Sequence, residues 1–182
     1  MERCRIIFSG SGGQGIITAA IILAEAAVLC EGLNAVQSQS YGPESRGGTS
    51  RSDVIIADTE IRFPKVTQPN VLVCLTQDAY NKYFGFIRPG GLLLTDSHYV
   101  KQEKNVDARQ VELGMYRKVM DEIGRPVVFN ICMLGALTGL TQLIKPQSIM
   151  KVLERRLPAG ILEVNKQALK LGLEMAEHLD RL

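Results

Sequence analysis

The sequence has 182 residues, 46% of them hydrophobic and 22% charged, a balance that suits one globular domain spanning residues 1–182. Its 21 Lys and Arg against 19 Asp and Glu leave a net charge of +2, too small to argue for nucleic acid, and a low aromatic content without Trp excludes a stacking platform for single strands. The opening MERCRIIFSG has too short an apolar run for a signal peptide, and the apolar stretch 127–144 is broken by Asn130, Gln142 and two glycines, so a cytoplasmic protein with no membrane span is expected.

In chain order, residues 3–8 form an apolar run ending at Gly10, where a strand would stop. Beyond Gly15, the positions Ile16, Ala19, Ala20, Leu23, Ala24 and Ala27 recur at helical spacing until Gly32, and residues 33–37 read as a second strand. Strand, glycine turn, helix and strand make a βαβ unit. Residues 38–50, SQSYGPESRGGTS, show no apolar periodicity; a loop of that length points to function. Residues 51–57 alternate as a strand and, with the turn-like Asp58-Thr59-Glu60, predict a hairpin to Ile61 and Phe63.

Residues 71–75 read as a strand buried on both faces, and Thr76 and Asp78 can cap a helix carrying Tyr80, Tyr83 and Phe84. Pro89-Gly90-Gly91 turns into a strand at 92–94. Residues 107–123 predict a helix stopped by Gly124 and Pro126, residues 127–129 a short strand, and residues 131–143 a long apolar helix. Helices at 146–155 and 164–179 complete the chain. The expected fold is α/β: a single doubly wound domain whose mostly parallel, mixed sheet carries helices on both faces.

Cys4, Cys30, Cys74 and Cys132 lie far apart with no C-x-x-C, and neither His98 nor His178 has partners at ligand spacing. Buried thiols, surface histidines and no metal site are therefore expected. The chemistry concentrates in two glycine-rich loops. Gly10, Gly12 and Gly15 satisfy G-x-G-x-x-G between a strand and a helix, where Gly10 allows a sharp turn, Gly12 and Gly13 leave room for an approaching group, and Gly15 permits close helix packing. Gln14 can reach a ligand or a neighbouring chain. A dinucleotide site also needs an acidic residue at the end of the second strand, and none appears before Glu44; a P-loop would need a Lys-Ser/Thr pair. The residues leave two readings of this loop open, a bound phosphate or glycines serving packing alone.

In the second loop Arg46 precedes Gly47-Gly48, with Thr49, Ser50 and Arg51 following. Small residues in succession can turn their N–H groups into an anion nest that a guanidinium closes. In a parallel sheet both loops would meet at the carboxyl edge, and the Gly42-Pro43 turn beside Glu44 and Arg46 would also suit docking to another subunit.

Taken together, GSGGQGI at Gly10 and YGPESRGG at Tyr41 resemble the gamma subunit of 2-oxoacid:ferredoxin oxidoreductases, the pyruvate/ketoisovalerate oxidoreductase gamma family. The resemblance runs on through RSDVIIAD at Arg51, PNVLV at Pro69, GGLLL at Gly90, and Asn130 with Leu134-Gly135-Ala136, so it covers nearly the whole chain. It implies a subunit of an enzyme that oxidatively decarboxylates a 2-oxoacid to an acyl-CoA and reduces ferredoxin. Tyr41-Gly42-Pro43 points to 2-oxoglutarate, with indolepyruvate or branched-chain 2-oxoacid enzymes and a stand-alone nucleotide-binding domain as alternatives. The implied partners are alpha and beta subunits, with a delta subunit and a homo-oligomer of the isolated chain left open, and ferredoxin reached through the complex. Thiamine diphosphate, Mg and iron–sulfur clusters are implied for the holoenzyme, none held firmly by this chain, and no catalytic residue is assigned here. Gly10, Gly12, Gly13, Gln14, Gly15, Tyr41, Arg46, Gly47 and Gly48 are assigned to a coenzyme A or subunit-facing edge.

Overall fold

A computed structural model describes residues 3–39 and 49–179. Its strands are β1 (Cys4–Gly10), β2 (Asn34–Gln39), β3 (Ser50–Ala57), β4 (Val71–Cys74), β5 (Gly91–Asp96) and β6 (Ala108–Leu113). Its helices are α1 (Ile16–Glu31), α2 (Gln77–Tyr83), α3 (Met115–Glu122), α4 (Phe129–Thr141), α5 (Pro146–Arg156) and α6 (Ala159–Leu179). The strands form one sheet in the order β2-β3-β1-β4-β5-β6. From β1 through β6 the pairings are parallel, whereas β3 runs antiparallel to both β1 and β2. The α/β fold with a mostly parallel, mixed sheet is thus the observed one.

The continuous apolar runs in β1, β3 and β4 arise because both faces of the sheet are covered. Alternate residues serve the two sides. Ile6, Phe8, Val54, Ile56, Val73 and Leu94 pack with α1, α4, α5 and α6, while Ile7, Ile55, Leu72 and Leu93 pack against Tyr80 and Tyr83 of α2. Thr76 caps α2 as expected, its hydroxyl accepting from the Ala79 N–H at 3.2 Å.

Three expectations are corrected. The hairpin is β2–β3, not one from residues 51–57 to Ile61 and Phe63; residues 61–63 form no strand, because β3 spends both edges on β1 and β2. The βαβ unit survives with β3 inserted between β1 and β2. The helix expected over 107–123 is β6 followed by the shorter α3. Residues 108–113 alternate between solvent and core with period two, and their hydrogen bonds to β5 override the local helix propensity. Finally, Pro126–Val128 is a 3-10 turn rather than a strand, with Pro126 opening it.

Apolar on every side, α4 is buried from Phe129 to Thr138 between the sheet, α1 and α6. Its closest partner is α6, and glycines set that approach. A Cβ on Gly172 would overlap the Cys132 carbonyl and sit 2.6 Å from the Ala136 N, and one on Gly135 would overlap the Leu169 carbonyl. Backbone therefore meets backbone at this crossing. Gly172→Ala is expected to cost about 1–3 kcal/mol in urea denaturation, since the helices must part to admit one methyl. Gly160→Ala, in open space near the start of α6, is the matched control and should be neutral or slightly stabilising.

Candidate functional site

β1 and β4 lie side by side, but the chain leaves them toward opposite sides of the sheet. α1 leads to β2 over one face, and α2 leads to β5 over the other. Doubly wound folds hold ligands at such a reversal. The first glycine loop fills it. Ser11, Gly12 and Gly13 are exposed, Gly13 with φ 88°, and nothing lies within 4 Å of where a Cβ on Gly12 or Gly13 would stand. The first turn of α1 has neither a side-chain cap nor an acidic residue, so its N–H groups and the positive end of the helix dipole face outward.

The other three residues of the motif face inward. The Gln14 amide crosses the crevice: its Nε2 donates to the Leu75 carbonyl at 3.0 Å, and its Oε1 accepts from the Ser11 N–H at 2.8 Å. A Cβ on Gly10 would overlap that Oε1. Gly15 has φ 71°, and a Cβ there would sit 2.5 Å from Asn130 Nδ2, which itself donates to the Gly15 carbonyl at 3.1 Å. Gly10, Gln14 and Gly15 thus hold the turn in place, while among the described residues nothing crowds Gly12 and Gly13.

Residues 40–48, and with them Tyr41, Glu44, Arg46, Gly47 and Gly48, lie outside the described residues. Their flanks come to this same edge. Ser50 pairs with Gly10 in the β1–β3 ladder, Gln39 pairs with Ser52, and Ser9 Oγ donates to the Ser50 carbonyl at 3.1 Å. Arg51 points elsewhere. It grips Asp53 with two hydrogen bonds of 2.6 and 2.8 Å, donates to the Val66 carbonyl at 2.8 Å and lies 5.3 Å over the Tyr83 ring.

Beside the glycine turn is a pocket of about 300 Å³, lined by Gly13, Gly15, Thr18, Arg125, Val127 and Ile161 among others. Its wall is apolar, and Val127 is 80% exposed. Arg125 is therefore a guanidinium of this edge that the sequence reading passed over, because Gly124 and Pro126 on either side signalled only a helix stop. Asn130 carried its own signal, a polar side chain inside an apolar helical run, which must be hydrogen-bonded to be buried.

Farther along the edge, the buried Asp96 carboxylate ends β5 and accepts the N–H groups of His98 at 2.9 Å and Tyr116 at 2.8 Å. Burial pushes its pKa up, and those N–H bonds oppose the shift. The His98 ring stacks 4.6 Å from Tyr116, and both His98 and His178 are exposed. All four cysteines are free thiols; burial pushes Cys4 up to about 11, Cys132 to about 12 and Cys74 higher still. Among the described residues no group of three or more His, Cys, Asp or Glu side chains comes together to hold a metal ion, and no helix is long and apolar enough to cross a membrane.

The sequence profile of the pyruvate ferredoxin/flavodoxin oxidoreductase family matches residues 5–175. The 2-oxoglutarate synthase subunit KorC of Methanocaldococcus jannaschii is 46% identical over 179 residues, covering 97% of this chain and 96% of that protein. The gamma subunit of a keto/oxoacid ferredoxin oxidoreductase from Geobacter sulfurreducens superposes with a TM-score of 0.87 at 39% identity, over 96% of this chain and 99% of that one. A 2-oxoglutarate:ferredoxin oxidoreductase chain from Magnetococcus marinus shares the fold, with a TM-score of 0.87 at 21% identity, over 98% of this chain and 32% of that longer one.

Because Gln14 bridges the crevice through both ends of its amide, Gln14→Ala is expected to lower stability by about 1–2 kcal/mol in urea denaturation. Hydrogen exchange at the Ser11 amide should accelerate with it. Unchanged protection there would show that the bridge does not hold the turn.

Proposed function

The chain belongs to the pyruvate ferredoxin/flavodoxin oxidoreductase family, and from that membership we propose that it is the gamma-type subunit of a 2-oxoglutarate:ferredoxin oxidoreductase whose glycine turn receives the pyrophosphate of coenzyme A. As a subunit of a multi-subunit 2-oxoacid:ferredoxin oxidoreductase, it serves the oxidative decarboxylation of a 2-oxoacid to an acyl-CoA. The choice of 2-oxoglutarate is supported by the naming of the KorC relatives, at 46% and 38% identity over nearly their full length.

One observation carries the coenzyme A assignment: an open Gly12-Gly13 turn at the uncapped start of α1, next to Arg125 and an apolar pocket. A pyrophosphate needs N–H donors and a cation without bulk in front of them, and this edge offers both. Val127 and Ile161 would cover a less polar part of the carrier, keeping water from it. Arg46, Gly47 and Gly48 join the same edge in this proposal on the strength of the resemblance and of their flanking strands. Among the described residues the four thiols are dispersed and no group of three or more His, Cys, Asp or Glu side chains gathers. We assign thiamine diphosphate, Mg and the iron–sulfur clusters to the alpha, beta or further partner chains, and this chain a place in assembly and in holding the acyl acceptor.

A packing role is favoured for three residues of the motif. Gly10, Gln14 and Gly15 are engaged within the chain, so their substitution should act through stability and assembly.

In the assembled enzyme, Arg125→Gln and Arg46→Gln are each expected to raise KM for coenzyme A about tenfold, the loss of one charge-assisted contact. The KM for 2-oxoglutarate should stay put, and size-exclusion chromatography should show intact assembly. The isolated chain should reduce no ferredoxin with any 2-oxoacid. An unchanged coenzyme A KM in both variants would sink the assignment.

A further inference from the structure

The opposite end of the sheet carries a second charged concavity that the reading above leaves without a role. A hollow of about 530 Å³ opens at the amino edge of β1, β4 and β5, and Arg3, Arg5, Lys65 and Arg88 all line it. Since β1 is seven residues long, this hollow stands roughly 20 Å from the glycine turn. Arg3 and Arg5 fall on the same sheet face as Ile7 by the two-residue pleat, so both turn toward the segment that brings Lys65. Arg88 arrives from the turn before β5, where its N–H bonds the Pro69 carbonyl at 3.1 Å.

We propose that this hollow is an anion site for a phosphorylated small molecule. Three guanidinium groups and an ammonium share one cavity, and among the described residues no carboxylate lines it. Other surface cations lie beside carboxylates: Lys118 with Glu122, Lys166 with Glu154, and Arg156 with Glu25. Among the described residues neither Arg5, Lys65 nor Arg88 has an acidic partner in ion-pair range. Arg3 donates from one terminal nitrogen to the Phe63 carbonyl, while its buried Nε has no hydrogen-bond partner among the described residues. Gathering like charges in one concavity costs stability unless an anion resides among them. Planar guanidinium forks match phosphate oxygens in pairs, and the volume falls within the range of small-molecule sites. A ring also stands at the rim. Phe63 is 61% exposed and lies with Pro89 against the cations, so it offers a face to a planar or apolar group attached to the phosphate.

The test is calorimetric titration of the full chain with inorganic pyrophosphate and with ADP at fixed ionic strength. Wild type is expected to show a saturable component that the Lys65→Gln/Arg88→Gln double variant weakens at least about tenfold and that Arg125→Gln, at the far edge, leaves in place. Lys65→Arg should restore the charge and the binding, and matched circular dichroism melts confirm that the variants fold. Phe63→Ala separates two sources of the phosphate: weaker ADP with unchanged pyrophosphate marks a nucleotide, and equal retention of both marks a phosphate without a stacked ring. An isotherm that the double variant does not alter would overturn the proposal. So would a double variant that dissociates the assembled enzyme while binding pyrophosphate normally, since the cations would then serve an acidic segment of a partner chain. Failure of the coenzyme A kinetics at Arg125 and Arg46 would leave this outcome untouched.

Discussion

The hydrogen bond from Asn130 to the Gly15 carbonyl is the constraint on which this molecule's carboxyl edge depends. Asn130 belongs to the first turn of a helix that the core holds from all sides, so its position is as rigid as anything in the chain. Gly15 can accept it only without a side chain and only in a left-handed backbone conformation. That bond fixes where α1 begins. The Gln14 bridge to Leu75 then closes the gap between β1 and β4. What is left of the loop, Gly12 and Gly13, meets no side chain of the described residues at the helix start. A turn with that division of labour is anchored at its base and uncrowded at its tip among the described residues.

Most of this architecture was legible in the residues. The glycine turn, α1 with its Gly32 stop, the doubly buried β4 and the helical spacing of α4 and α5 follow from periodicity and capping chemistry. The order of the strands did not follow, because pairing partners are set by long-range packing that no window of sequence contains. Residues 108–113 show this directly. Arg109, Gln110 and Glu112 suit a helix surface, and only the neighbouring β5 makes an edge strand of them. At the site, glycine spacing identified the turn but could not separate glycines with inward contacts from glycines without them. Arg125 was hidden for a related reason: its neighbours in space come from α1 and α6, far away along the chain.

The two ends of the parallel strands present different electrostatics. At the carboxyl end the positive potential is mostly backbone, oriented N–H groups at the start of α1, with Arg125 added at the rim. At the amino end it is mostly side chain, and it rests on four long cationic residues around one hollow. Backbone dipoles are fixed in place and lose no entropy on binding, whereas Lys and Arg side chains must be ordered. Geometry at the first edge is therefore set by the fold, and at the second by how its long side chains are ordered.

The buried cysteines bring one more consequence. A sulfur reacts with oxidants and captures soft metals as its anion, and burial keeps Cys4, Cys74 and Cys132 protonated far above neutral pH. Three of the four thiols are thereby kept in the form that neither captures a soft metal nor oxidises readily. The density of the core protects the chain chemically as well as mechanically.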